Sequence, residues 1–260
     1  VPALDVDGAT IAYTDSGPRD APAVLFGHGL LFGGWMFQPQ IEVLRARYRC
    51  VAIDWRGQAD SPRAAGGYDM DTLAADAVAL IEVLGIAPVH WVGLSMGGFV
   101  GQRVAARRGD LVRSLTLLDT SCGPENPEKV REYKRLALFQ RLFGIRPVLG
   151  TVEPLLFGRA APAEVVAVWR RRIVRADRAA LRDAVLGVAE RKPVEHEIGA
   201  ITVPTLVAVG ADDRATPPAE SERIAAAIPG ARLHVLPDCG HTSTLEQPAA
   251  VNRLLTGFLG

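Results

Sequence analysis

The 260-residue chain has little cysteine: Cys50, Cys122 and Cys239 are too few and too scattered for a disulfide framework, and no Cys-x-x-Cys pair offers a metal or redox site. A reducing compartment, and no bound metal, is the expectation. The chain also lacks an excess of either charge. Its 29 Lys and Arg balance 29 Asp and Glu, so no net field draws it to nucleic acid or an anionic membrane. No apolar run approaches the ~20 residues needed to cross a bilayer, and the opening Val1-Pro2-Ala3-Leu4-Asp5 lacks a basic stretch followed by an apolar one. These absences describe a cytoplasmic protein with a small-molecule partner and neither a membrane nor a nucleic-acid partner.

What is present is a recurrence of short apolar runs: Ala23 to Phe26, Cys50 to Ile53, Val89 to Val92, Leu115 to Leu118, Thr205 to Val209 and Leu233 to Leu236. Continuous apolar runs of this length read as strands buried on both faces of a parallel sheet. Between the second and third, Leu73, Ala77, Leu80, Ile81 and Leu84 mark one face of a helix, with Asp69 and Asp71 near its start. The alternation predicts an α/β fold with a mostly parallel, doubly wound sheet. Ala3 to Val6 and Thr10 to Thr14, joined by the turn signal Asp7-Gly8, predict an antiparallel edge. The pattern breaks over residues 124–197, which are helix-rich and punctuated by Pro127, Pro147, Pro154 and Pro162. That segment predicts a helical cap inserted into a core made of residues 1–123 and 198–260. The cap holds 15 Lys and Arg against 10 Asp and Glu, a net +5 that the core offsets. Solvated faces such as Arg170-Arg171-Arg172 explain this excess plainly; a cap that attracts an acidic substrate is the sharper reading.

Ser95 lies between glycines in Gly93-Leu94-Ser95-Met96-Gly97, after a strand and before a helix. A serine hydroxyl is a poor nucleophile unless it is lifted from the backbone beside a base, and a strand–turn–helix elbow does this. Of the five histidines, His90 and His234 fall inside strands and His196 in the cap, leaving His28 and His241. His241 follows the last strand, at the edge where doubly wound folds gather their sites, and is the expected base. The orienting acid is Asp212 or Asp213, in the turn after Thr205 to Val209, which gives the chain order Ser, Asp, His. Asp119, after Leu118, is the competing acid. Two backbone N–H groups are needed for an oxyanion: Met96, after the serine, and Leu30, in the loop Gly27-His28-Gly29-Leu30, where His28 is expected to prop the backbone. Trp35, Phe37, Phe139 and Trp169 are the expected pocket residues.

The His28-Gly29 loop, the Asp54 to Ser61 segment, the Gly93 to Gly97 elbow, Asp213 and Gly240-His241 occur in the order of the α/β-hydrolase superfamily, which the chain resembles over nearly its whole length. "GLSMGGFVGQ", "GADDRATPP" and "CGHTSTLEQP" are most similar to the 3-oxoadipate enol-lactonase group and its esterase and lactonase relatives. The resemblance implies Asp213 as the acid and a cofactor-free serine hydrolase acting on a carboxylic ester or lactone. It leaves open carbon–carbon bond hydrolysis, perhydrolysis and a slow-turnover ligand sensor. One departure is Gln58-Ala59-Asp60, where a second glycine is common.

Overall fold

Five of the six apolar runs become the middle of one sheet in the computed structural model, which describes all 260 residues; the sixth, Leu233 to Leu236, forms its far edge and, paired on one side only, is largely exposed rather than buried on both faces. The strands are β1 (Ala3–Val6), β2 (Ala9–Ser16), β3 (Ala23–Gly27), β4 (Arg49–Ile53), β5 (Val89–Leu94), β6 (Val112–Leu118), β7 (Thr205–Gly210) and β8 (Arg232–Leu236). They pair in the order β1-β2-β4-β3-β5-β6-β7-β8. β3 to β8 run parallel, and β1 and β2 form the antiparallel edge. The Asp7-Gly8 turn has φ of 43° and 73°, the left-handed pair that a tight hairpin needs.

Within each buried strand the side chains alternate between two cores. Leu25, Val51 and Val207 face one side, where α2 (Met70–Leu84), α3 (Met96–Arg107) and α8 (Pro218–Ala227) pack; Val24, Phe26, Cys50, Ala52 and Ala208 face the other, with α1 (Gln38–Leu44) and α10 (Pro248–Leu259). Each such aliphatic contributes ~1.5–3 kcal/mol relative to exposure. Helix α2 starts where Asp69 accepts from the Asp71 and Thr72 amides and stops at Gly85, whose φ of 61° closes the last turn.

Between β6 and β7 there is no strand. The chain there folds into α4 (Pro127–Phe143), α5 (Leu149–Leu156), α6 (Ala163–Ile173) and α7 (Arg178–Ala189), with α4 packed on α7. A short α9 (Ser243–Glu246) follows His241. No helix is long and apolar enough to cross a membrane.

Candidate active site

The two glycines around Ser95 let backbones touch. A Cβ on Gly97 would lie 1.9 Å from the Gly27 carbonyl oxygen, and one on Gly93 would lie 2.3 Å from the Gly97 oxygen. The elbow therefore presses directly against the end of β3. Ser95 itself sits at φ 51° and ψ −111°, a strained conformation that costs ~1–3 kcal/mol and needs surroundings that enforce it. They do. The Ser95 amide donates to the Leu118 carbonyl, Thr120 Oγ1 and the Gly98 amide donate to the Ser95 carbonyl, and the Gly97 amide donates to the His28 carbonyl.

His28 lies wholly inside the protein. Its Nδ1 donates to the Gly29 carbonyl (2.7 Å), its Nε2 accepts from the Trp55 amide (3.0 Å), and its carbonyl also accepts from Trp55 Nε1 (2.9 Å). Burial lowers its pKa to about 4, the Gly29 bond opposing, so it stays neutral. With both nitrogens engaged, His28 fixes the loop that carries Leu30. Leu31 follows with φ 70°, held by its amide donating to Gln58 Oε1 (2.9 Å) and its carbonyl accepting from Trp169 Nε1 (3.1 Å). Gln58 thus has a task in the segment that departs from the family pattern, and Ala59 beside it takes the left-handed φ of 49°. The Leu30 amide has no protein acceptor, and Met96, at the first position of α3, has no intrahelical one. The positive end of the α3 dipole adds to the pull on an anion there.

His241 Nδ1 donates to Asp213 Oδ2 at 2.8 Å. The Asp213 carboxylate also accepts from the Ala215 and Thr216 amides and from Thr216 Oγ1, each at 2.9 Å. Burial pulls the His241 pKa down, but the charge of Asp213 and then its hydrogen bond outweigh it and leave the value raised. With Nδ1 taken, Nε2 is the nitrogen left for chemistry. Ser95 and His241 line the same chamber without a direct hydrogen bond between them, as in many unliganded sites where that bond tightens only around substrate. Asp212 makes no hydrogen bond to the imidazole; its amide donates to the Cys239 carbonyl. Asp119 is buried beside the pair, its carboxylate accepting from the Gly210 amide, the Ser243 amide and Ser243 Oγ. Burial, then the charge of Asp213, push its pKa well above the usual carboxylate range.

The chamber corrects the expected pocket. Its walls are mostly aliphatic: Leu136 and Ala137 from α4, Val152, Leu155 and Leu156 from α5, Leu181, Val185 and Val188 from α7, with Leu30 and Leu31, beside the Phe99 ring, from the core. None of the four expected aromatics lines it. Phe37 is wholly buried against Phe26, ring centroids 5.1 Å apart, and Phe139 points outward, its ring tilted against that of Phe143 with centroids 4.7 Å apart. Trp169 is buried against Phe32 and Phe157 and reaches the site only through its bond to Leu31. Trp35 lies under the Arg172 guanidinium (4.7 Å) in a separate polar cleft. Arg170, Arg171 and Arg172 are exposed, so the basic run is a solvated face. One arginine does face inward, Arg191, paired with Glu125.

Glu246 is the functional candidate that sequence reasoning missed. Its Oε2 accepts from the Gly240 amide (3.0 Å) and its Oε1 from the Thr242 amide (3.1 Å), the two peptides flanking His241, while Oε2 also takes the Gly158 amide (3.0 Å) just after α5. One carboxylate therefore clamps the histidine turn to the helical insertion. The signal was the acid before the proline in "GHTSTLEQP", five residues past the histidine. Glu246→Gln, which turns an acceptor into a donor facing N–H groups, is expected to lower kcat about 10–100-fold with little change in KM, the scale of a small misplacement of a reacting group. Steady-state kinetics check it, and restoration by Glu246→Asp would separate loss of the carboxylate from collapse of the turn.

No group of His, Cys, Asp and Glu is arranged to hold a metal ion, and all three cysteines are buried as free thiols. A serine at a strained elbow, a histidine bound to an aspartate, and Leu30 with its unpaired amide thus line one chamber, and Met96 follows the serine in the chain. The α/β-hydrolase fold model matches residues 22–248. The chain belongs to the α/β-hydrolase family. It is 33% identical over 258 residues, 95% of each protein, to RutD of Variovorax paradoxus, named as a carbamate hydrolase. A thermophilic esterase from Thermogutta terrifontis superposes with a TM-score of 0.91 at 31% identity, over 99% of this chain and 96% of that one. The enol-lactonase of Burkholderia xenovorans matches with a TM-score of 0.91 at 29% identity, over 99% of each chain. This α/β-hydrolase is a hydrolytic enzyme with esterase- and lactonase-like relatives.

Proposed function

We propose that this α/β-hydrolase cleaves a neutral carboxylic ester or lactone through an acyl-enzyme on Ser95, without a cofactor, in the reducing cytoplasm. The observation that carries the reading is that Ser95, Leu30 and His241 line one largely apolar chamber, with His241 hydrogen-bonded to Asp213 behind it. Ser95 Oγ attacks the carbonyl carbon as its proton passes to His241 Nε2. The resulting oxyanion lies against the Leu30 and Met96 N–H groups, which are fixed before the charge appears. Collapse breaks the carbonyl–alkoxy bond, and the leaving oxygen takes the proton from His241. Water then gives a proton to His241 as it attacks the acyl carbon, and collapse breaks the acyl–Ser95 Oγ bond as Oγ takes that proton back, releasing the acid and restoring both residues. Residues 124–197 act as the cap that closes the chamber and sets substrate choice.

The largely aliphatic walls, the outward Arg170 to Arg172 run and the pairing of the one inward arginine, Arg191, with Glu125 support neutral short-to-medium acyl substrates over dianionic ones. A panel of p-nitrophenyl esters, neutral lactones and dicarboxylic enol-lactones tests this. A dicarboxylic enol-lactone turned over far faster than a neutral lactone of equal ring size, with the advantage erased by salt, would count against it. Attachment of a fluorophosphonate anywhere but Ser95 would reject the nucleophile, and a single slow turnover that leaves His241 modified would indicate a sensor. Because the base must be neutral, kcat/KM is expected to fall as acid protonates His241. The raised pKa puts that limb above 6.5, and a pH profile with its limb below that value would contradict the pairing.

A further inference from the structure

The histidine turn is joined to the helical insertion by more than Glu246. Helix α5 meets the chamber with Val152, Leu155 and Leu156, spaced three and four apart and so on one face. It is only eight residues long, carries Pro154 inside it and ends where Phe157 turns extended, so its own hydrogen bonds hold it weakly. Just beyond it two backbones touch. A Cβ on Gly240 would lie 2.1 Å from the Gly158 nitrogen, and one on Gly158 would lie 2.8 Å from the Gly240 nitrogen. The insertion therefore reaches the residue before His241 with no side chain between.

Thr242, the residue after His241, makes the second join. It is wholly buried, and its Oγ1 faces two acceptors, the Leu156 carbonyl at 3.1 Å and Glu246 Oε1 at 2.9 Å. A hydroxyl has one proton to give. The Thr242 amide keeps its own bond to Glu246 Oε1, so the turn survives with the hydroxyl proton on either acceptor, but the link to Leu156 lasts only while α5 is seated. Leu156 thus serves twice: its side chain is a wall of the chamber, and its carbonyl accepts from the turn that carries the base.

We propose that Leu156 and Thr242 form a relay by which an acyl chain lying along α5 sets His241, so that chain length is read in kcat and not in KM alone. A chain that fills the space before Val152, Leu155 and Leu156 occupies the room into which this short helix can shift. The helix then stays seated, and the imidazole stays where Ser95 needs it. An acetyl group, with one carbon beyond the carbonyl, reaches little past Ser95 itself. Thr242 is a positioning residue, because it acts on the reaction only through His241. The inference rests on the acyl-enzyme reading above and adds the part of the substrate to which that site responds. Acylation and deacylation both pass a proton through His241 with the acyl chain in the chamber, so the effect holds whichever step limits. Apolar binding by itself would lower KM and leave kcat flat.

Turnover of p-nitrophenyl acetate, butanoate and hexanoate by wild type, Thr242→Val and Thr242→Ser provides the test. Wild-type kcat should rise about fivefold or more from acetate to hexanoate, a fraction of the ~100-fold that a small misplacement can cost. Thr242→Val keeps the side-chain shape and the amide bond but removes the hydroxyl. Its KM should still fall with chain length while its hexanoate-to-acetate ratio in kcat drops to near one, and Thr242→Ser should restore the rise. A wild-type kcat ratio of one or below, the wild-type ratio kept in a folded Thr242→Val, or no recovery in Thr242→Ser overturns the proposal. Amide hydrogen exchange reads the same link in wild type without turnover. Hexanamide, a neutral acyl analogue, should slow exchange at Gly158, Gly240 and Thr242 about threefold or more, and acetamide should not. If Thr242→Val does not fold, the wild-type ratio and the exchange rates decide. Ser95-dependent turnover with a flat kcat series sinks the relay alone, whereas no Ser95-dependent turnover of any ester sinks the acyl-enzyme reading. In that event exchange decides the relay, and rates unmoved by hexanamide, for want of binding or otherwise, overturn it.

Discussion

Ser95→Ala, His241→Ala and the double variant are expected to lose nearly the same activity, by as much as ~10⁶-fold in kcat. The equality is the informative part. If the proton leaving Ser95 goes to His241, either residue alone is idle, and removing the second subtracts nothing further. What survives is the work of the Leu30 and Met96 amides and of the chamber, roughly 10³–10⁴ over water in enzymes that share this arrangement. All three variants should fold, because alanine meets the same left-handed backbone as serine at φ 51°, and the clamps on that residue's backbone come from Leu118, Thr120, Gly98 and Phe99 rather than from the serine hydroxyl. Kinetics on a chromogenic ester, with thermal melts as the folding control, provide the measurement. Losses that add in the double variant would mean that serine and histidine act separately.

The elements that hold this site were legible because each is written locally. A strand buried on both faces must be a continuous apolar run, a left-handed hairpin turn asks for Asp-Gly, and an elbow pressed against a neighbouring carbonyl tolerates only glycine two residues to either side of the serine. The chamber was not legible, for a reason visible on α4. That helix is apolar on two faces: Leu136 and Ala137, with Tyr133 and Gln140, turn inward, while Leu138, Phe139, Leu142 and Phe143 remain exposed. Hydrophobicity alone selects Phe139, and only packing against α7 shows that it faces out. Arg191 and Glu125 are 66 residues apart and become a pair only when the chain is folded. Glu246 is similar, since an acid two residues before a proline has no evident task until the amides around His241 are seen to converge on it.

Asp213→Asn is expected to lower kcat by ~10⁴-fold while leaving the fold intact. The carboxylate accepts from His241 Nδ1 and from three donors of the Ala215–Thr216 turn. An asparagine can hold part of that geometry, but it removes the charge that stabilises the imidazolium and can present an N–H where the imidazole needs an acceptor. The pH profile should move with the rate. His241 is raised because Asp213 outweighs burial; without that charge, burial prevails and the acid limb of the residual activity should shift downward. Asp119→Asn provides the contrast. Its carboxylate bonds the Gly210 amide and Ser243, not the imidazole, and its raised pKa leaves it less able to supply a full negative charge at neutral pH. Its replacement should cost far less, with the acid limb moving little. A larger loss for Asp119→Asn than for Asp213→Asn, or an acid limb that follows Asp119 instead, would assign the acid to the end of β6 and remove Asp213, in the turn after β7, from the catalytic machinery.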